Sequence, residues 1–223
     1  MARHSRLEVW TAILDSGLVP LFYHGETEVA GQIVMACAQA GVRCIEFTNR
    51  GDQAHRVFQE LALRNGQGQG LILGAGSVID AATAALYIQL GAEFIVGPVF
   101  NPEVARLCNR RKVAYLPGCA TASEISAAEE LGAEICKIFP GGQLGGPDFI
   151  KAILGPMPWA RLMPTGGVEA TQESVSAWIK AGAACLGVGS NLISKQSVAA
   201  GDFRAIGERA ANILGWIRTA RGA

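Results

Sequence analysis

The sequence predicts an α/β fold of one domain, residues 1–223, in which eight parallel strands and their helices close into a (β/α)8 TIM barrel. Apolar, β-branched runs of strand length recur about every 20 to 28 residues. Between them, apolar positions repeat at three- and four-residue spacing, which is the period of a helix with one buried face. Four helix-to-strand junctions also share one phrase of small residues, glycine and an apolar run: Ala40-Gly41-Val42, Leu90-Gly91-Ala92, Leu131-Gly132-Ala133 and Ala181-Gly182-Ala183. Each reads as a helix stopping on glycine and feeding a strand. Alternating strands and helices imply parallel pairing, and eight near-equal units favour closure over an open sheet. An open dinucleotide-binding sheet would announce itself by G-x-G-x-x-G after its first strand, where this chain has Tyr23-His24-Gly25-Glu26.

The elements follow in order. Leu7–Asp15 is amphipathic and precedes the first strand, so it reads as an extra N-terminal helix able to plug the bottom of the barrel. The strands are Leu18–Phe22, Arg43–Phe47, Leu71–Gly76, Phe94–Pro98, Ala114–Gly118, Glu134–Pro140, Arg161–Gly167 and Cys185–Ser190, each a short apolar run bounded by turn residues. Helical patterns fill the gaps, among them Glu26–Ala40, Ala81–Leu90, Ser123–Leu131 and Thr171–Ala181, and Phe203–Arg218 forms a final helix. Trp10, Trp159, Trp178 and Trp216 fall at helix or loop positions and read as packing residues.

Composition narrows the function. The chain has 223 residues, half of them hydrophobic, enough for one sizeable core. Nineteen basic side chains balance nineteen acidic ones, which argues against a nucleic-acid surface or a polybasic membrane anchor and for small-molecule partners. Six cysteines lie scattered without C-x-x-C spacing, the pattern of reduced thiols in a cytoplasmic protein. No apolar stretch reaches membrane-spanning length. The three histidines, His4, His24 and His55, show no ligand spacing, so neither a metal nor a cofactor is expected. His24 follows the first strand and reads as a loop residue near the barrel mouth.

Barrel enzymes carry their chemistry at the C-terminal ends of the strands. The sixth strand holds Lys137 inside an apolar run. Burying an unpaired ammonium is expensive, so the group finds a partner or gives up its proton, and a neutral amine is a nucleophile. Alternation puts Ile135, Lys137 and Phe139 on one face, and it puts Cys44 and Glu46 together on the second strand. If Lys137 faces the interior, Glu46 meets it there. A buried ion pair would satisfy both groups without chemistry, but the strand-end setting favours an acid and an amine in one site. Arg50, four residues beyond Glu46, has the planar fork that suits a carboxylate. Ser77, Pro98 and Pro117 stand at the ends of other strands, where each either lines the site or is, for Ser77, just a loop hydroxyl and, for the two prolines, just a strand terminator. Thr165-Gly166-Gly167 and Gly189-Ser190 close the last two strands, where exposed backbone N–H groups commonly hold a phosphate.

These motifs resemble the 2-dehydro-3-deoxy-6-phosphogluconate (KDPG) and 4-hydroxy-2-oxoglutarate (KHG) aldolases, a family of class I pyruvate-lyases. The segments that carry the likeness are Glu46-Phe-Thr-Asn-Arg50, Gly74-Ala-Gly-Ser77, Gly97-Pro98, Pro117-Gly118, Lys137-Ile-Phe-Pro140 and Pro164-Thr-Gly-Gly167. The resemblance implies a homotrimer that needs no cofactor and acts on 2-oxo acid and aldehyde substrates. It makes Lys137 the Schiff-base lysine and Glu46 the proton-transferring residue. Arg50 and Thr165 would contact the pyruvate half, Ser77, Pro98 and Phe139 would shape the pocket, and Gly166, Gly167, Gly189 and Ser190 would hold a phosphate. The chain departs from the commoner family pattern at Asn49, Gly51, Ser77 and Ile138, and its eighth strand ends Gly-Val-Gly-Ser. Two other readings stay open: an isomerase or epimerase on a phosphate-binding barrel, and a non-catalytic barrel that binds a phosphorylated sugar acid.

Overall fold

The computed structural model describes residues 3–65 and 71–222. Helix α1 (Arg6–Ser16) opens with a capping box, in which the Ser5 side chain accepts from the Glu8 backbone N–H and the Glu8 side chain accepts from that of Ser5. It stops at Gly17 in the left-handed conformation, and β1 (Leu18–Phe22) starts at the next residue. The chain then alternates through α2 (Thr27–Gln39), β2 (Cys44–Thr48), α3 (Ala54–Asn65), β3 (Ile72–Gly76), α4 (Ala81–Gln89), β4 (Phe94–Val96), α5 (Pro102–Arg111) and β5 (Ala114–Leu116). It continues with β6 (Gly118–Cys119), α6 (Ala122–Glu130), β7 (Cys136–Ile138), α7 (Pro147–Leu154), β8 (Leu162–Pro164), α8 (Gln172–Lys180) and β9 (Leu186–Val188). Two helices follow, α9 (Lys195–Ala199) and α10 (Phe203–Arg221).

Every strand pair is parallel. Six strands run in the order β5-β4-β3-β2-β1-β9 and three in the order β6-β7-β8. A parallel bridge between Thr165 and Gly187 joins β8 to β9, and the chain itself joins β5 to β6, so the ring closes. Among the described residues the expected eight strands number nine because Pro117 splits the fifth. Proline has no N–H to donate to the ladder, while its carbonyl accepts from the Lys137 backbone N–H at 2.8 Å. The predicted sixth strand is shorter than expected: Glu134 is exposed and pairs with Arg161 at 2.8 Å. Thr165–Gly167 and Gly189–Ser190 likewise lie beyond the named strands, as loops.

Two apolar layers hold the barrel. The larger lies between the sheet and the surrounding helices. The smaller fills the bottom of the barrel, where Val19, Cys44, Ile72, Phe94, Ala114, Ile135, Met163 and Cys185 converge from all around the ring on Val9, Trp10, Ala12 and Ile13 of α1. Helix α1 is therefore the plug that its position suggests, and burying a side chain such as Ile13 stabilises by about 1.5–3 kcal/mol. The buried Glu93 carboxylate ties the N-terminal segment to this end, accepting from Arg3 at 3.2 Å and from the Leu73 backbone N–H at 3.1 Å. Trp10 and Trp178 are buried, but Trp159 is 66% exposed, correcting its reading as a packing residue. Its indole N–H instead donates to Glu129 at 3.3 Å.

Candidate active site

Inward-facing positions run up each strand at a period of two, from the apolar plug toward the C-terminal mouth. Lys137 follows Ile135 on that track, and Glu46 follows Cys44. Both polar side chains end in the barrel interior, Lys137 5% exposed and Glu46 0%. Lys137 Nζ lies 3.9 Å from Glu46 Oε2, beyond hydrogen-bond reach, and 5.4 Å from the centre of the Phe139 ring. Neither carboxylate oxygen of Glu46 has a hydrogen-bond partner among the described residues, and neither does Thr165 Oγ1. Leaving buried polar atoms unpaired costs free energy, so their gathering around Lys137 in the barrel interior marks a place built for a ligand.

Two glycines make the space for these side chains. A methyl group at Gly76 would overlap the Glu46 carboxylate, and one at Gly187 would overlap Thr165 Oγ1. Only a residue without Cβ admits the neighbouring polar group.

Above this centre opens a cavity of about 800 Å³. Arg50, Ser77 and Pro98 line it from the ends of β2, β3 and β4, and Lys137, Phe139 and Thr165 line it from β7 and β8. Gly166, Gly167, Gly189 and Ser190 complete the far side. Glu46 does not line the cavity itself but lies buried next to Lys137. Pro117 does not line the cavity. His24 does line it, at the mouth, with Nδ1 accepting from the Glu26 backbone N–H at 3.1 Å.

The departures around Arg50 have local explanations. Asn49 Oδ1 accepts from the Tyr87 hydroxyl at 2.9 Å, and the Asn49 N–H donates to the Gly76 carbonyl at 2.8 Å. The Tyr23 hydroxyl occupies the place where a Cβ of residue 51 would stand, so glycine there leaves room for the tyrosine. Arg50 Nε makes a long contact of 3.4 Å with Ser77 Oγ, and Ser77 itself is left-handed at φ 57°.

On the far side, Gly166 and Gly167 are both left-handed, at φ 80° and 85°. Among the described residues, the backbone N–H groups of Gly166, Gly167, Gly189 and Ser190 donate to no protein acceptor. Unpaired N–H groups at adjacent loops form a concavity that suits an anion. Asn191 couples the two loops by donating from Nδ2 to the Val168 carbonyl at 2.9 Å.

Thr48 and Lys195 are among the lining residues that sequence reasoning missed. Thr48 is two positions beyond Glu46 on the same strand face, so alternation contains the signal; its Oγ1 donates to the Phe22 carbonyl at 3.1 Å. Lys195 reaches the cavity from the start of α9, and nothing in its local sequence marks it. Among the described residues, no group of three or more His, Cys, Asp or Glu side chains is placed to hold a metal ion.

Comparison with known proteins gives concordant matches. A family model described as KDPG and KHG aldolase matches residues 11–209. A 2-dehydro-3-deoxy-phosphogluconate aldolase from Treponema pallidum is 32% identical over 201 residues, covering 88% of this chain and 91% of its own. A 2-dehydro-3-deoxy-6-phosphogalactonate aldolase from Escherichia coli is 36% identical over 160 residues, covering 71% of this chain and 76% of its own. Among solved structures, a 4-hydroxy-2-oxoglutarate/2-dehydro-3-deoxyphosphogluconate aldolase from TTHB1 superposes with a TM-score of 0.79 at 28% identity, covering 93% of this chain and 97% of that one.

Proposed function

The chain belongs to the KDPG and KHG aldolase family, and on that premise we propose that Lys137 and Glu46 carry out a class I retro-aldol cleavage of a 2-oxo-3-deoxy acid. The preferred substrate in this reading is 2-dehydro-3-deoxy-6-phosphogluconate, cleaved to pyruvate and glyceraldehyde 3-phosphate. Cleavage of 4-hydroxy-2-oxoglutarate to pyruvate and glyoxylate uses the same chemistry. One observation carries the reading: an amine and an unpaired carboxylate 3.9 Å apart in the interior of the barrel, at the floor of a cavity.

In this mechanism the uncharged Lys137 amine adds to the C2 carbonyl, and loss of water leaves a protonated imine. Glu46 takes the proton of the C4 hydroxyl, directly or through one water, as the C3–C4 bond breaks. The bonding pair flows into the imine, giving an enamine, and the C4 fragment leaves as an aldehyde. Glu46 then returns its proton to C3, and hydrolysis of the imine frees pyruvate and the amine. Arg50 and Thr165 hold the carboxylate and so fix the direction of the carbonyl, which lowers the barrier by positioning. Ser77, Pro98 and Phe139 shape the walls. The N–H groups of Gly166, Gly167, Gly189 and Ser190 hold the terminal phosphate.

An isomerase on the same barrel would leave Lys137 without a covalent task. Incubation with pyruvate and borohydride, followed by peptide mapping, tests the choice. A reduced pyruvate adduct on Lys137 is expected, and its absence from that peptide would reject the imine.

The proposal extends to a homotrimer acting in the cytoplasm. Exposed Ile79 and Val99, on neighbouring loops linked by the Asn101 Nδ2 to Ile79 carbonyl bond of 2.9 Å, support an assembly surface. The six unpaired, buried cysteines support a reducing compartment. No helix among the described residues is long and apolar enough to cross a membrane.

A further inference from the structure

Three cationic side chains line the large cavity, and they stand on different parts of the ring: Arg50 after β2, Lys137 within β7 and Lys195 after β9. The proposed chemistry gives Arg50 the substrate carboxylate and Lys137 the carbonyl, but it leaves Lys195 without a role. We infer that Lys195 is a specificity-determining residue that reads the charge at the far end of the substrate, pairing with a terminal phosphate. The inference rests on the aldolase reading of the same cavity and adds to it the residue that makes the phosphate count.

Lys195 lines the same cavity as the Gly166–Gly167 and Gly189–Ser190 loops, whose N–H groups have no protein acceptor among the described residues. Those N–H groups are neutral dipoles. They donate to a hydroxyl or carbonyl oxygen as well as to a phosphate oxygen, and so they select weakly for charge. A lysine ammonium supplies the missing discrimination, because its attraction to a dianion has no counterpart with a neutral terminal hydroxyl. Among the described residues no carboxylate lies within ion-pair distance of Lys195. Glu26, the acidic residue on the cavity rim, is among those outside that distance.

The backbone that presents Lys195 is anchored rather than free. Arg209 of α10 donates to the Leu192 carbonyl at 2.8 Å and to Ser197 Oγ at 2.8 Å, bracketing Lys195 on both sides. Ser194 caps α9 through the Ser197 N–H at 3.1 Å, and Asn191 ties the segment to Val168. Lys195 is therefore carried on an anchored segment of backbone, with its own side chain exposed at the cavity.

The test compares retro-aldol kinetics on 2-dehydro-3-deoxy-6-phosphogluconate and on the same acid without its phosphate, for the natural protein, Lys195→Met, Lys195→Glu and Lys195→Arg, at low and high salt. For Lys195→Met, KM for the phosphorylated acid should rise about ten- to a hundredfold, with kcat and the kinetics of the unphosphorylated acid changed less than about twofold. Lys195→Glu should raise it further, Lys195→Arg should retain most of the preference, and high salt should shrink all these differences. An unchanged ratio between the two substrates, or an equal loss on both, overturns the inference. Pyruvate trapping on Lys137 does not involve the substrate's far end, so it reports separately. If the natural protein fails to form that adduct, the aldolase reading falls; if every variant forms it and the substrate ratio does not move, only the role of Lys195 falls.

Discussion

A side chain on Gly76 would collide with the carboxylate of Glu46, so β3 is hollowed out beside the acid that β2 projects into the barrel. The acid's position next to Lys137 thus depends on a neighbour that carries no functional group. Gly76→Ala should displace the carboxylate while leaving the Lys137 amine in place. A misplacement on the order of 1 Å commonly costs about a hundredfold in rate. The expected result is a kcat lower by about that factor with pyruvate trapping on Lys137 retained, read by steady-state kinetics and mass spectrometry on one preparation.

Replacing Glu46 by Gln keeps the shape and removes the proton acceptor. Retro-aldol kcat should fall by about 10²–10⁴, the range that a general acid/base contributes. Because the same carboxylate is assigned the protonation of the enamine carbon, exchange of the pyruvate methyl protons with D₂O should slow in parallel. Proton NMR of pyruvate incubated with each protein measures this directly, and unimpaired exchange in Glu46→Gln would transfer the proton step to another group.

Burial pushes the thiols of Cys37, Cys108 and Cys185 up to about 12 and also raises Cys44. Cys136 is raised by its hydrogen bond with Cys119 and by burial. Since the thiolate is the reactive form and all six side chains are buried, iodoacetamide at pH 8 should label none of them in the folded protein. Mass spectrometry after labelling in denaturant should show six additions.

Asp80 caps α4, accepting from the Thr83 backbone N–H at 2.7 Å and from its hydroxyl at 2.8 Å. These bonds hold its carboxyl below the ordinary value of 3.8. A carboxyl lowered on folding adds stability that is present above its unfolded value and lost as pH falls through the folded one. Asp80→Ala should therefore cost about 1 kcal/mol at neutral pH. The gap in urea midpoint between the two proteins should narrow only below about pH 3.8.

Strand alternation correctly put Lys137 with Ile135 and Glu46 with Cys44, because direction along a strand is a local property with a period of two. The same rule would have found Thr48. It had no means of finding Lys195, whose place depends on how α9 is clamped to α10 by Arg209. Pro117 was legible as a strand terminator because its missing N–H is a local property, whereas the exposure of Trp159 depends on which chain segments lie alongside.

By itself, the order of residues determined the alternating architecture, the buried faces of the strands, the helix stops at glycine and the family to which the chain belongs. These follow from local backbone preference and from apolar periodicity. Only the closed ring decided that Lys137 Nζ and Glu46 Oε2 would stand 3.9 Å apart, that Gly76 and Gly187 would yield space to their neighbours, and that a cation from beyond β9 would border the cavity. Such distances arise from strand register and packing between segments far apart in the chain, and no window of sequence contains both partners.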